Sequence, residues 1–277
     1  MVSGMRPLFV LAVLTIREAL RRRIYVGAFC IGLLFLGLLF LPGLADARRG
    51  IELDPPVEVS LLALAGLAMI KFFSAVLGIT LAAGAISTEV ERGTLYVVLS
   101  KPLTRTHILL GKWLGLVALT ALNVLVWGAL LWMAVYRRIP GLHLPLLKAI
   151  GLAFLYPLIF VTLTLCFSTF ASNVLATALA LVCIGIGWQE GFMLELGRVF
   201  DIRLLREFGY FAGYLVPIGR LHRWMIQVAD LSLPFGVLPT GPGSHELQPT
   251  ATDLPYIGGY ILVLLLVSLV IFVRRDV

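Results

Sequence analysis

The sequence predicts an all-α integral membrane protein, and three observations carry that expectation. First, 60% of the 277 residues are hydrophobic and only 13% are charged, whereas a soluble domain averages about 25% charged. With a mean hydropathy of +1.01, the apolar residues exceed what a water-facing globule of this size can bury, so the bilayer becomes the solvent. Second, these residues are gathered into six long runs, and a helix needs about 20 mostly apolar residues to cross the hydrocarbon core. Third, many arginines sit at the ends of those runs. The formal net charge of +7 therefore reads as membrane topology rather than affinity for nucleic acid.

The first element is an arginine-rich amphipathic stretch at 6–23, expected to lie in the membrane interface with its arginines reaching the headgroups. It does not read as a cleavable signal. Its apolar run at 8–16 is short and leads into Arg17-Glu18-Ala19-Leu20-Arg21-Arg22-Arg23 rather than a small-residue cleavage site. Span one follows at 24–42 and span two at 61–86. Spans three and four follow at 108–135 and 146–170. Span five, 174–189, is short but almost wholly apolar, and span six is 256–273. Residues 190–230 alternate apolar and charged groups and are expected to form short amphipathic helices on the outer membrane face. Residues 232–255, rich in Pro and Gly, read as a loop. No internal repeat is visible, so the chain reads as one transmembrane domain over 1–277.

Orientation follows from the basic flanks. Arg17, Arg21, Arg22 and Arg23 precede span one. Arg92, Lys101, Arg105 and Lys112 lie in or beside the connection between spans two and three, and Arg274 and Arg275 follow span six. Six spans place all of these on one side, which is then cytoplasmic together with both termini. The opposite loop, 43–60, is acidic. Arg137 and Arg138 dissent. The long 190–255 region also carries arginines, but long loops count for little under this rule.

Signals for catalysis are absent from the sequence. No G-x-x-x-x-G-K-[ST] phosphate loop occurs; the single Gly-Lys pair, Gly111-Lys112, is followed by Trp113. There is no HExxH and no GxSxG, and no catalytic residue or metal site is assigned. Cys30, Cys166 and Cys183 lie in apolar runs and read as small buried hydrophobes. His107, His143, His222 and His245 are scattered. His222 and Met225 are one turn apart, a pairing a soft metal could use, but they read as a polar and an apolar residue of an interfacial helix.

Polar groups within the spans are more informative. Lys71 lies in span two, roughly 22 Å from its cytoplasmic end at about 1.5 Å per residue. There it either snorkels outward or faces a translocation path or subunit interface. Asn123, midway along span three, can bond across helices or touch substrate. Thr162, Thr164 and Ser168 suit a wet lining, although such hydroxyls usually bond their own backbone. Pro157 should kink span four, and Gly111-x-x-x-Gly115 has the small-xxx-small spacing of close helix contact.

The densest stretch is the charged island 87–115 between spans two and three. Thr88 and Glu91 have capping-box spacing, so a helix is expected to start there. Leu95, Val98 and Leu99 share one face of that helix, and Pro102 stops it. A short helix of this kind either docks a soluble partner or covers lipid headgroups. The residues Glu89-x-Glu91-Arg92-Gly93-Thr94-Leu95, then Ser100-Lys101-Pro102 and Gly111-Lys112, resemble the cytoplasmic coupling segment of type-2 ABC exporter permeases. The resemblance is to the branch grouped with the nitrous-oxide-reductase maturation permease.

That resemblance carries further implications. It makes 6–23 an elbow helix and 87–105 a coupling helix resting on an ATPase subunit. Glu89, Glu91, Arg92, Gly93 and Thr94 would make the contact, while Lys101, Pro102 and Arg105 would fix the return to span three. The partners would be two copies of a cytoplasmic ABC ATPase subunit, which carry the ATP and Mg, and a second permease copy or paralogue. This chain would bind no cofactor of its own and move an unidentified substrate across a bacterial or archaeal plasma membrane. Two other classes stand beside this one. A membrane scaffold or biogenesis factor is the first. An ion-driven carrier is the second, disfavoured by the scarcity of intramembrane carboxylates and the lack of a repeat.

Overall fold

The computed structural model describes residues 5–38, 55–91, 104–136, 143–229 and 250–274, and all regular structure within them is helical. The helices are α1 (Met5–Leu20), α2 (Arg23–Leu38), α3 (Pro55–Ala82), α4 (Gly84–Glu91), α5 (Arg105–Tyr136) and α6 (His143–Ala153). They continue with α7 (Leu155–Ser168), α8 (Asn173–Trp188), α9 (Glu190–Val199), α10 (Arg203–Leu215), α11 (Ile218–Ala229) and α12 (Asp253–Arg274).

Among the described residues, five helical segments are long and apolar enough to cross a membrane: Val59–Glu91, Arg105–Tyr136, Leu144–Ser168, Asn173–Val199 and Asp253–Arg274. They coincide with the expected spans two to six. For span one, Tyr25–Leu38 is apolar but shorter, and 39–42 lie outside the described residues, as do 43–54 and 231–249.

Local chemistry explains the breaks. Pro157 is the third residue of α7 and has no N–H to donate to the Ala153 carbonyl, and its ring crowds that carbonyl. The predicted kink accordingly appears at Phe154, between α6 and α7. Ser172 begins α8 by accepting a hydrogen bond from the Leu175 N–H at 3.4 Å.

Helices α3, α5 and α7 form the centre, with α1, α2, α8 and α12 packed around them. Trp127, Tyr156, Phe160 and Phe272 are fully buried there. Phe29 of α2 and Phe73 of α3 hold the Trp127 ring between them at centroid distances of 6.1 and 5.8 Å. Outward faces stay apolar: Val174, Leu181 and Val182 of α8 and Leu262, Val263 and Leu266 of α12 are exposed, as suits lipid-facing helices.

Both amphipathic stretches are largely helical and anchored to the bundle. Most of 6–23 lies in α1, which ends at Leu20 and is docked along α5. A Cβ on Gly111 would lie 2.6 Å from Leu11 Cβ, and one on Gly115 would lie 2.6 Å from the Ala12 carbonyl oxygen. The small-xxx-small pair thus exists to let α1 approach. Likewise, 190–229 is largely helical, and α11 buries one face of its length in the bundle. It packs against α6, and its Leu221, Met225 and Ala229 belong to the main core.

Candidate functional site

Two polar constellations stand out, one at the end of the bundle where α4 stops and α5 starts, the other between α3, α8, α9 and α11. At the first, the chain leaves α3 through a turn at Ala83 and re-enters helix at Gly84. The opening N–H groups of such a helix lack partners within it. Ser168, at the end of α7, supplies the acceptor: its Oγ takes hydrogen bonds from the Ile86 and Ser87 N–H groups, both at 3.1 Å. Ser168 is therefore a cap donated by a neighbouring helix rather than part of a wet lining.

One turn further, Lys112 of α5 is 7% exposed. Its Nζ donates to the Ala85 carbonyl and pairs with Glu89 Oε1, each at 2.7 Å. This clamp ties the end of α4 to the first turns of α5. Arg105 extends it to the last helix: its Nη1 donates to the Phe272 and Val273 carbonyls at 3.3 Å, a favourable cation at a helix C-terminus.

The capping-box reading of this stretch is corrected. Thr88 and Glu91 do not start a helix; they lie in its second half, and α4 begins at Gly84. Glu89 is neutralised by Lys112, whereas Glu91 is exposed. Arg92, Gly93, Thr94, Lys101 and Pro102 lie outside the described residues.

The second constellation gathers residues that the sequence scattered. Lys71 of α3 places its Nζ 5.8 Å from the Trp188 ring centroid at the end of α8. Two residues on, Glu190 is 2% exposed and pairs with Arg223 of α11 at 2.8 Å. Gly213 and Gly219 make room for that carboxylate, since a Cβ on Gly219 would come within 2.1 Å of Glu190 Oε2. Beside Arg223, His222 keeps its Nδ1 buried without a hydrogen-bond partner. Burial lowers its pKa to about 3, and the positive charges of Lys71 and Arg223 push the same way. Arg220, 3.4 Å from Asp253 and stacked on Tyr214 and Tyr256, fastens α11 to the start of α12.

The other expected pathway residues are not brought to this cluster by any contact. Asn123 is buried; its Oδ1 accepts from Tyr25 Oη at 3.3 Å across α2 and α5, and its Nδ2 donates to the Leu119 carbonyl at 2.6 Å. Thr162 donates to the Leu158 carbonyl and accepts from Trp113 Nε1 at 2.7 Å. Thr164 departs from the expectation that such hydroxyls bond their own backbone: its Oγ1 is buried without a partner. Sequence reasoning missed Glu190, Arg223 and the Glu89–Lys112 pair. The one available signal was an acid directly after an apolar run, in Trp188-Gln189-Glu190-Gly191.

The profile of a family described as "ABC-2 family transporter protein" matches residues 10–277. The chain is also 27% identical over 231 residues to a Pseudomonas aeruginosa protein named "Probable ABC transporter permease protein NosY". That match covers 80% of this chain and 78% of the relative.

Proposed function

The chain belongs to the ABC-2 family of transporter proteins, and on that premise we propose that it is the permease half of an ATP-driven exporter of the plasma membrane. In this reading Tyr25–Leu38 and the residues after it complete a sixth span, α1 is the elbow helix, and both termini are cytoplasmic. Two copies of a separate ABC ATPase subunit bind the ATP and Mg. They dock on the segment from Glu89 to Arg105, and a second permease copy or paralogue completes the pathway. Glu91, Arg92, Gly93, Thr94, Lys101 and Pro102 form the docking surface, while Glu89 and Arg105 brace it from behind. Lys71 lines the translocation path. Asn123 and Thr162 hold helices together beside it, and Thr164 offers a free hydroxyl.

The observation that supports this reading best is the Lys112 clamp. Any push on the connection between α4 and α5 reaches a joint in which Ala85, Glu89 and Lys112 are already bonded. The push is then passed to the α3–α4 and α5 rods together. Packed helices switch between discrete arrangements rather than bending continuously, so a rigid joint is what transmission requires.

The test separates docking from bracing. Glu91→Lys should abolish co-purification with the ATPase subunit or uncouple its hydrolysis from transport, with the permease fold intact. Glu89→Lys, which faces Lys112, should instead lower the unfolding temperature. The purified chain alone should hydrolyse no ATP. Unchanged assembly, ATPase rate and transport in Glu91→Lys would show that this segment is not the docking element.

A further inference from the structure

We propose that the site between α3, α8 and α11 binds the oxyanion group of a small organic anion, held by Lys71, His222 and Arg223, so that this permease takes anionic cargo. The proposal rests on the permease reading for the word cargo; the binding itself does not. Among the described residues Lys71 has no carboxylate partner, and its ammonium meets only the Trp188 ring. Arg223 spends Nη2 on Glu190, leaving Nε buried and unpartnered. Lys71 and Arg223 against Glu190 leave one positive charge over, in surroundings that are mostly apolar. Such a charge is costly unless it is paired or faces a cavity.

Unused donors accompany the unused charge. Among the described residues, the Lys71 ammonium, the Arg223 Nε–H and the His222 Nδ1 have no protein acceptor. Burial first, and then the neighbouring Lys71 and Arg223 charges, keep the His222 ring neutral, so it can present one N–H rather than a second full charge. Three side chains from two helices thus offer N–H groups that no oxygen of the described residues accepts, while the Glu190 Oε2 is also buried without a hydrogen-bond partner; an entering carboxylate or phosphate would supply the acceptors. Glu190 sets the limit on charge: its carboxylate, enclosed by Gly213 and Gly219, offsets Arg223 and leaves room for a monoanion rather than a polyanion. The rim is aromatic. Phe72 stacks on Trp188 at 5.7 Å, and both rings are partly exposed, which suits the apolar body of an organic ion.

The experiment is a calorimetric titration of the full-length chain in phosphatidylcholine discs with benzoate, and with benzyl alcohol as its neutral counterpart. Neither nucleotide nor ATPase subunit is present. Wild type should bind benzoate saturably and benzyl alcohol not at all. Lys71→Met should weaken benzoate by about tenfold or more, as expected for loss of a charge-assisted contact. Lys148→Met, an exposed lysine on α6, should bind as wild type does. Lys71→Met removes an unpaired charge and should unfold at or above the wild-type temperature. His222→Gln, which keeps an N–H donor, should lose less affinity than His222→Leu.

Equal affinity for the two ligands, no saturable binding, or wild-type affinity in Lys71→Met would overturn the site. A response confined to discs containing anionic lipid would also overturn it. Because binding is read without the ATPase subunit, the site can fail while assembly and transport stand, and the reverse.

Discussion

Ser168 shows how much one side chain can decide. It is an unremarkable hydroxyl in sequence, yet it accepts two backbone N–H groups exposed by the turn at Ala83. Removing the acceptor leaves buried donors unsatisfied, at a cost of about 1–3 kcal/mol. Ser168→Ala should therefore lower the thermal unfolding midpoint of the detergent-solubilised chain, whereas Thr177→Ala should change it little, since that exposed hydroxyl only bonds its own helix at Asn173. His222 offers a second residue-level test. Its folded pKa of about 3 lies below the unfolded value of about 6.5. Between these two values the unfolded chain takes up a proton that the folded chain refuses, so stability is present above pH 6.5 and is lost as pH falls toward 3. Between pH 7 and 5 the midpoint of wild type should fall more steeply than that of His222→Leu. Parallel curves would show that His222 is not held neutral.

Among elements, the contact between α1 and α5 is the most sharply specified. Gly111 and Gly115 present bare backbone to Leu11, Ala12 and Thr15, and no side chain fits at either position without moving α1. Gly115→Leu should displace α1 from α5 while leaving the membrane bundle folded. Protease cleavage within 5–22 should then accelerate strongly, with helical content nearly unchanged; wild-type cleavage rates would mean that α1 docks by other contacts. The α9–α11 group is held differently. Its ion pairs, Glu190–Arg223 and Arg220–Asp253, link α11 to α9 and α12, while Leu221 and Met225 seat it in the main core. Apolar seating with buried polar fasteners ties α11 into the bundle, whereas α9 and α10 leave Phe192, Val199, Leu204 and Phe211 exposed.

For the whole molecule, the arrangement of long helices carries the topology. Between Asn173, which opens α8, and Thr250, which precedes α12, the described residues contain one helical segment of membrane length, Asn173–Val199. Reporter fusions after Asn173 should be cytoplasmic and those after Thr250 exterior, as the basic flanks require. The opposite pattern would reverse the orientation and remove the docking segment from the reach of a cytoplasmic ATPase.

The sequence by itself determined the class of molecule and the position of its long helices. Apolar runs of membrane length cannot be hidden in water, and a run such as 108–135 differs from α5 by a few residues at each end. Pro157 and Gly111-x-x-x-Gly115 were legible for the same reason, because a missing N–H or a missing Cβ acts locally wherever it occurs. The charged stretch after span two was legible as a polar connection between long helices but not in its geometry. Thr88 and Glu91 have the spacing of a helix start, yet the helix was already under way, nucleated by the turn at Ala83 and capped by Ser168, 80 or so residues away in sequence on another helix. Glu89 looked free for a partner until Lys112 was seen to occupy it. Lys71, Glu190 and the neighbours His222 and Arg223 sit on three different helices and share no period or motif. Spacing reports only what one helix or strand can bring together. Which buried charges meet across helices is set by packing, and that only the tertiary structure decided.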